Sequence, residues 1–100
     1  MKYFLSQKAE DDLEEIWFYS FRTWSKEQAD EYIRLIISQI EFIAQNPNSG
    51  TDISEIRKGY FKSRIKSHYI FYKIESENQL IQIIRILHGM MDIETRIGSE

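Results

Sequence analysis

The run Arg85-Ile86-Leu87-His88-Gly89-Met90-Met91-Asp92 sets a guanidinium and an imidazole at the end of an otherwise apolar segment, Leu80 to Leu87. An arginine can hold a phosphate or a developing oxyanion, and an imidazole can move a proton near neutral pH. If Arg57, Arg64 and Arg85 gather on the sheet face away from the helices, they could clasp an RNA phosphate. His88, at the sheet edge, would then move protons during attack by the 2′-hydroxyl. That chemistry needs a second acid or base on the same face. After His88 the chain offers Asp92, Glu94, Arg96 and Glu100, but no Tyr, Lys or further His. Two other uses stay open. Arg85 can pair with a nearby carboxylate, and His88 can end a strand as a hydrogen-bonded side chain. The missing second proton-transfer group favours binding or fold support over catalysis.

Other chemistries find less footing. The chain has no Cys, which removes disulfides, thiolate metal sites and Cys nucleophiles. Neither His68 nor His88 has a second ligand at metal-site spacing, so neither a metal nor a cofactor is expected. Gly50, Gly59, Gly89 and Gly98 stand apart and form no phosphate loop. No serine elbow or triad order is visible. The crowded acids Glu10, Asp11, Asp12, Glu14 and Glu15 sit where a helix begins, and solvation and the helix dipole explain them.

Composition limits the classes further. One hundred residues without a linker imply a single domain spanning 1–100, with a polar tail, 95–100, expected to fray. No stretch is long enough and apolar enough to span a bilayer, and no leader opens the chain. A cytoplasmic protein with no membrane contact is the expectation. The net charge is −3 but is unevenly spread. Arg57, Lys58, Lys62, Arg64, Lys66 and Lys73 follow one another with no acid between them. On an acidic protein this strip suggests a local docking surface rather than general nucleic-acid affinity. Alternate strand positions facing water account for about half of it.

The elements that position these residues follow from periodicity. Tyr3 to Leu5 reads as an opening strand, and Ser6 as the N-cap of a first helix. Its inward face is Ala9, Leu13, Ile16, Trp17, Ser20 and Trp24. Ser25-Lys26-Glu27-Gln28 is a capping box that starts a second helix almost at once. Ala29, Tyr32, Ile33, Ile36, Ile40, Ile43 and Ala44 form its inward face, and Asn46 to Gly50 stops it. From Ile56 the period becomes two. Tyr60 to Ile65, Tyr69 to Ile74 and Leu80 to Leu87 read as three strands, with 75–78 as the last turn. The fold class is therefore α+β. An N-terminal strand and an antiparallel α-hairpin precede a three-stranded antiparallel meander, all strands forming one sheet packed against the helices.

The hairpin carries apolar side chains that its core does not need. Phe18 lies roughly 150° from the centre of the first helix's inward stripe, and Phe42 a comparable angle from the second's. Phe21 and Leu35 are off-stripe as well. Four such residues on one hairpin favour a partner surface, which a helix laid across it would cover.

Residues spread from Tyr3 to Arg96 resemble the ParE-type toxins of the RelE/ParE superfamily, from bacterial toxin–antitoxin pairs. They are Leu5-Ser6, the spacing of Ala9, Leu13, Ile16-Trp17 and Tyr19, then Trp24, Gln28-Ala29 and Tyr32. Asn46-Pro47, Gly50, Ile56-Arg57-Lys58-Gly59-Tyr60, the Tyr69 to Tyr72 strand, Arg85-Ile86-Leu87-His88 and Met91-Asp92 complete the pattern. The resemblance implies the α-hairpin-on-sheet fold. It also implies a ParD-like antitoxin that wraps the toxin in a hetero-oligomer, over surface that includes Phe18, Phe21, Leu35 and Phe42. Operator DNA would be met only indirectly, through the antitoxin. The implied action is binding and inhibition of DNA gyrase. The alternatives are a RelE-like, ribosome-dependent messenger-RNA endonuclease and an inactive scaffold that only pairs with antitoxin. RelE-type nucleases are similar to one another in having a basic body and a C-terminal Tyr or His-Tyr acid/base. The acidic balance here, and the lack of any Tyr after Tyr72, favour the ParE side. Arg57, Tyr60, Arg64, Arg85, His88, Met91 and Asp92 would line a target- or antitoxin-binding groove.

Overall fold

Two serines set the helical layer. In the computed structural model, which describes residues 1–99, Ser6 Oγ accepts from the Ala9 N–H at 3.0 Å and opens helix α1, Gln7–Thr23. The same hydroxyl donates to the Ile84 carbonyl at 2.7 Å, so the cap also ties the helix start to the sheet. Ser25 Oγ accepts from the Gln28 N–H at 3.1 Å and opens α2, Lys26–Gln45. Both hydroxyls satisfy a helix-start N–H that would otherwise lack a partner. Trp17 fixes the pairing of the helices, since its Nε1–H donates to Asp30 Oδ1 at 2.8 Å. A turn at Pro47–Ser49 follows α2.

The strands are β1 (Lys2–Leu5), β2 (Thr51–Asp52), β3 (Tyr60–Ile65), β4 (His68–Glu75) and β5 (Leu80–His88). They form one sheet in the order β1-β5-β4-β3-β2. The meander runs β3-β4-β5 as expected, and β1 joins it parallel to β5, with Tyr3 beside Ile81 and Leu5 beside Ile83. The two-residue β2 was not anticipated, being too short for alternation to show.

The helix-facing core is mostly isoleucine. Ile36, Ile40 and Ile43 of α2 and Ala9 and Ile16 of α1 pack on Ile70, Tyr72, Ile81, Ile83 and Ile86. Tyr72 is fully buried, so its hydroxyl must find partners. It donates to the Pro47 carbonyl at 2.9 Å and accepts from the Gly50 N–H at 3.0 Å. A Cβ on Gly50 would collide with that hydroxyl and with the Lys62 carbonyl, which explains the glycine there.

The other sheet face is covered as well. Ile53, Tyr60, Phe71 and Leu87 pack with Ile97, which is fully buried on helix α3, Ile93–Gly98. The polar tail expected to fray from Thr95 onward is thus corrected as far as residue 98. Residue 100 of that tail lies outside the described residues. Polar flanks hid a short helix whose one apolar anchor faces the sheet. Among the described residues, no helix is long and apolar enough to cross a membrane.

Candidate binding cleft

Strand β1 ends at Leu5, so β5 runs on alone from Ile84 and presents its edge to α1. A register shift opposite Phe71 and Tyr72 marks a bulge at this point. The bulge lets Ile83 and Ile86 both face the helices. It also sends Arg85 round the open edge to α1, where Nε lies 2.8 Å and Nη2 2.9 Å from the two carboxylate oxygens of Asp12. The same carboxylate accepts the Ile86 N–H at 2.9 Å. Asp12 therefore caps a strand edge and holds a bidentate guanidinium, with both side chains largely buried at 9% and 14% exposure. Such a pair is costly to break from one side, because the remaining charge stays buried.

This overturns two expectations. Asp12 is not merely a solvated residue of the first turn. Arg85 does not join Arg57 and Arg64 on the face away from the helices. Arg57 and Arg64 are occupied there in separate places. Arg57 donates to the Gly98 carbonyl at the end of α3 at 3.0 Å and lies 5.5 Å from the centre of the Tyr60 ring. Arg64 donates to the Lys66 carbonyl at 2.9 Å. With Lys62, it also flanks Tyr69, the cations lying 6.0 and 5.0 Å from the ring centre. Asp92 caps α3 through Thr95, and those bonds hold its carboxyl below the usual range. The seven residues expected to line one groove are divided between the two sides of the sheet, and only His88 and Met91 border the cleft described next.

Beyond the Asp12–Arg85 pair, the tip of the hairpin overhangs the ends of β4 and β5. The space between is a cleft of about 1620 Å³. Its apolar lining includes Ile16, Phe18, Trp24, Leu35, Ile86 and Met91. Trp24 was expected on the inward face of α1, but it caps the helix C-terminus and is 62% exposed. Glu14, Glu15, Glu27 and Glu31 line the same cleft. Of the hairpin residues expected on a partner surface, Phe18 and Leu35 line the cleft. Phe21 instead stacks on Trp17, with ring centres 5.3 Å apart, and Phe42 lies outside the cleft on α2, 49% exposed.

At the cleft floor the structure supplies a residue that a scan beyond His88 missed. The register places His68 directly opposite His88, with ring centres 5.2 Å apart. His68 Nδ1 lies 2.6 Å from the Tyr32 hydroxyl. Burial lifts the Tyr32 pKa, so the phenol keeps its proton at neutral pH, although the Ser67 backbone N–H bonded to it opposes the shift. The phenol hydroxyl also donates to the Ile65 carbonyl, at a longer 3.5 Å. Burial first, and the neighbouring His88 second, push His68 down to about 4, against the pull of Asp12. His68 is therefore neutral at pH 7. His88 Nδ1 accepts the Met90 N–H at 3.0 Å. Among the described residues, no group of three or more His, Asp or Glu could hold a metal ion.

Comparison with known proteins agrees with this architecture. Residues 3–93 match the family model described as ParE toxin of type II toxin-antitoxin system, parDE. The chain is 38% identical over 96 residues to Toxin ParE1 of Caulobacter vibrioides, covering 96% of this chain and 97% of that protein. It is equally similar, over the same shares, to Toxin ParE1 of Mycobacterium tuberculosis. Among solved structures, the chromosomal ParDE system from P. aeruginosa superimposes with a TM-score of 0.77 at 21% identity, over 88% of this chain and 95% of that one. The toxin–antitoxin complex RelBE2 from Mycobacterium tuberculosis follows with a TM-score of 0.62 at 16% identity, over 87% and 95%.

Proposed function

Because this chain belongs to the ParE toxin family of type II toxin–antitoxin systems, we propose that it arrests growth by binding and inhibiting DNA gyrase, and that a ParD-like antitoxin neutralises it. The observation that carries a binding mode of action is the dispersal of the cations. Arg85 is bound to Asp12, Arg57 to the end of α3 and Arg64 to a hairpin turn. No two of them converge on one point where a phosphate could be held during cleavage. Phosphoryl chemistry depends on such converging charge. What supports an antitoxin partner is the exposed aromatic surface of the hairpin, together with structural neighbours that are a ParDE toxin–antitoxin system and the RelBE2 toxin–antitoxin complex. Apolar patches of this kind mark partner surfaces.

A second reading, a RelE-like messenger-RNA endonuclease, gains one observation. His68 beside His88 supplies the second proton-transfer group that the sequence after His88 lacks. The acids around the cleft oppose it, because carboxylates repel the RNA backbone. Inducing the chain alone in cells, then assaying plasmid supercoiling and messenger-RNA integrity in parallel, separates the two. Altered supercoiling with intact RNA is expected. Early RNA cleavage at ribosomes would instead establish the nuclease, and uninterrupted growth would point to an inert scaffold.

A further inference from the structure

His68 and His88 meet at the narrow kind of position in an antiparallel ladder. The Gly89 N–H donates to the Ser67 carbonyl at 2.8 Å, just outside the pair, so the two histidines exchange no backbone bond with each other. Residues paired in this way stand closest, with Cα atoms about 4.5 Å apart. The rings are nearly perpendicular and their centres lie 5.2 Å apart. Two imidazoles that share one ion at about 2.0 Å from each nitrogen, at a trigonal or tetrahedral angle, hold their centres roughly 5 to 5.5 Å apart. The two rings are already spaced for a metal ion. We propose that His68, His88 and Met91 form a binding site for a soft univalent metal ion, Cu(I), at the floor of the cleft. The site goes beyond the toxin reading and does not depend on it.

Both rings have Nδ1 engaged, by the Tyr32 hydroxyl at His68 and by the Met90 N–H at His88, which leaves Nε2 of each for a ligand. At His68 the hydrogen bonds suit that use. With the Tyr32 hydroxyl donating to the Ile65 carbonyl, the phenol oxygen can accept the His68 Nδ1–H, and Nε2 keeps its lone pair. A ring N–H held by an oxygen in this way orients a metal-bound imidazole and makes it a better donor. At His88, ligation through Nε2 places the ring proton on Nδ1, so the Met90 N–H must turn away. That bond lies in an exposed turn, and water can replace it. The third donor decides the kind of ion. No carboxylate completes a set of three with the imidazoles, since Asp12 is held by Arg85 and Glu31 by Arg34. Met91 lines the same cleft instead, in a turn closed by its N–H on the His88 carbonyl at 3.0 Å. A thioether is a soft ligand and favours Cu(I) over harder ions. Sequence spacing hides such a site, because the second imidazole arrives from the neighbouring strand.

The test is an anaerobic titration of the folded chain with Cu(I) in competition with a chromogenic Cu(I) chelator. Uptake of one ion per chain is expected. His88→Gln and Met91→Leu should each weaken it by about tenfold or more, whereas Met90→Leu, at the most exposed methionine, should leave it unchanged. Zn(II), titrated against its own indicator, should bind at least about tenfold more weakly than Cu(I). Loading with Ag(I), a redox-inert stand-in, should shift the Met90 amide resonance, because the ion displaces its bond to His88. Far-UV circular dichroism of each variant separates a lost ligand from a lost fold. No uptake of Cu(I) would overturn the proposal, as would uptake that survives His88→Gln in a folded variant. Loss of uptake with Met90→Leu but not with Met91→Leu, or Zn(II) bound as tightly as Cu(I), would overturn it too.

Discussion

At the scale of single residues, Asp12 and Arg85 carry the most consequence. Asp12 serves a guanidinium and a strand N–H together, in a largely buried place. Asp12→Ala is predicted to lower unfolding free energy by about 3–5 kcal/mol, because Arg85 stays behind as a buried charge. Denaturant melts of D12A, R85A and the double variant check this. The double should cost clearly less than the two singles added together, as expected for partners in one interaction. His68 makes a pH-dependent prediction. Its folded pKa, about 4, lies below the unfolded value of 6.5, so the unfolded chain binds the proton more readily between those values. The stability from keeping His68 neutral is fully present above pH 6.5 and is lost as pH falls toward 4. After allowance for the partial exposure of the ring, the loss is on the order of 1–2 kcal/mol. His68→Gln should flatten that part of the stability–pH curve, and an unchanged slope would contradict the assigned environment.

At the scale of elements, α3 is the piece with the clearest mechanical role. It covers the outer sheet face through one fully buried side chain, and Arg57 bonds the Gly98 carbonyl at its end. Ile97→Ala should cost about 2–4 kcal/mol in chemical denaturation, a cost that a frayed tail would not show. The reason it was hidden in the sequence is physical. A single apolar residue among polar neighbours sets no period, whereas the isoleucines of α2 recur often enough to declare a face. The helices and the strands of the meander were readable because capping serines and two long apolar periods agreed with each other. The β5 bulge was not readable, since a register shift leaves no mark on composition. Strict alternation sets Arg85 on the helix face with Ile81 and Ile83, whereas the bulge sets it opposite the outward-facing Phe71, so its route round the open edge to Asp12 could not be read from the sequence. His68 was visible as a residue, but its place opposite His88 depended on strand register. The β3–β4 turn adds one test, because Lys66 adopts a positive φ of 52°. Lys66→Gly should be neutral to stabilising by up to about 1 kcal/mol, since the left-handed conformation costs glycine little.

At the scale of the whole molecule, charge is segregated by layer. The helical hairpin carries the acids that border the cleft, whereas Lys62, Arg64 and Lys73 lie on the sheet side. A protein that acts by holding partners can use two surfaces of opposite sign, and neither surface requires turnover. The most direct measurement of the central claim is a supercoiling assay, in which purified gyrase is titrated with this chain. The binding account predicts inhibition that saturates near stoichiometric toxin, rises with the ratio of toxin to gyrase and is unchanged by longer preincubation. It also predicts reversal on adding the cognate antitoxin. Full gyrase activity at a large excess of folded chain would contradict it, as would inhibition that deepens with time at substoichiometric toxin.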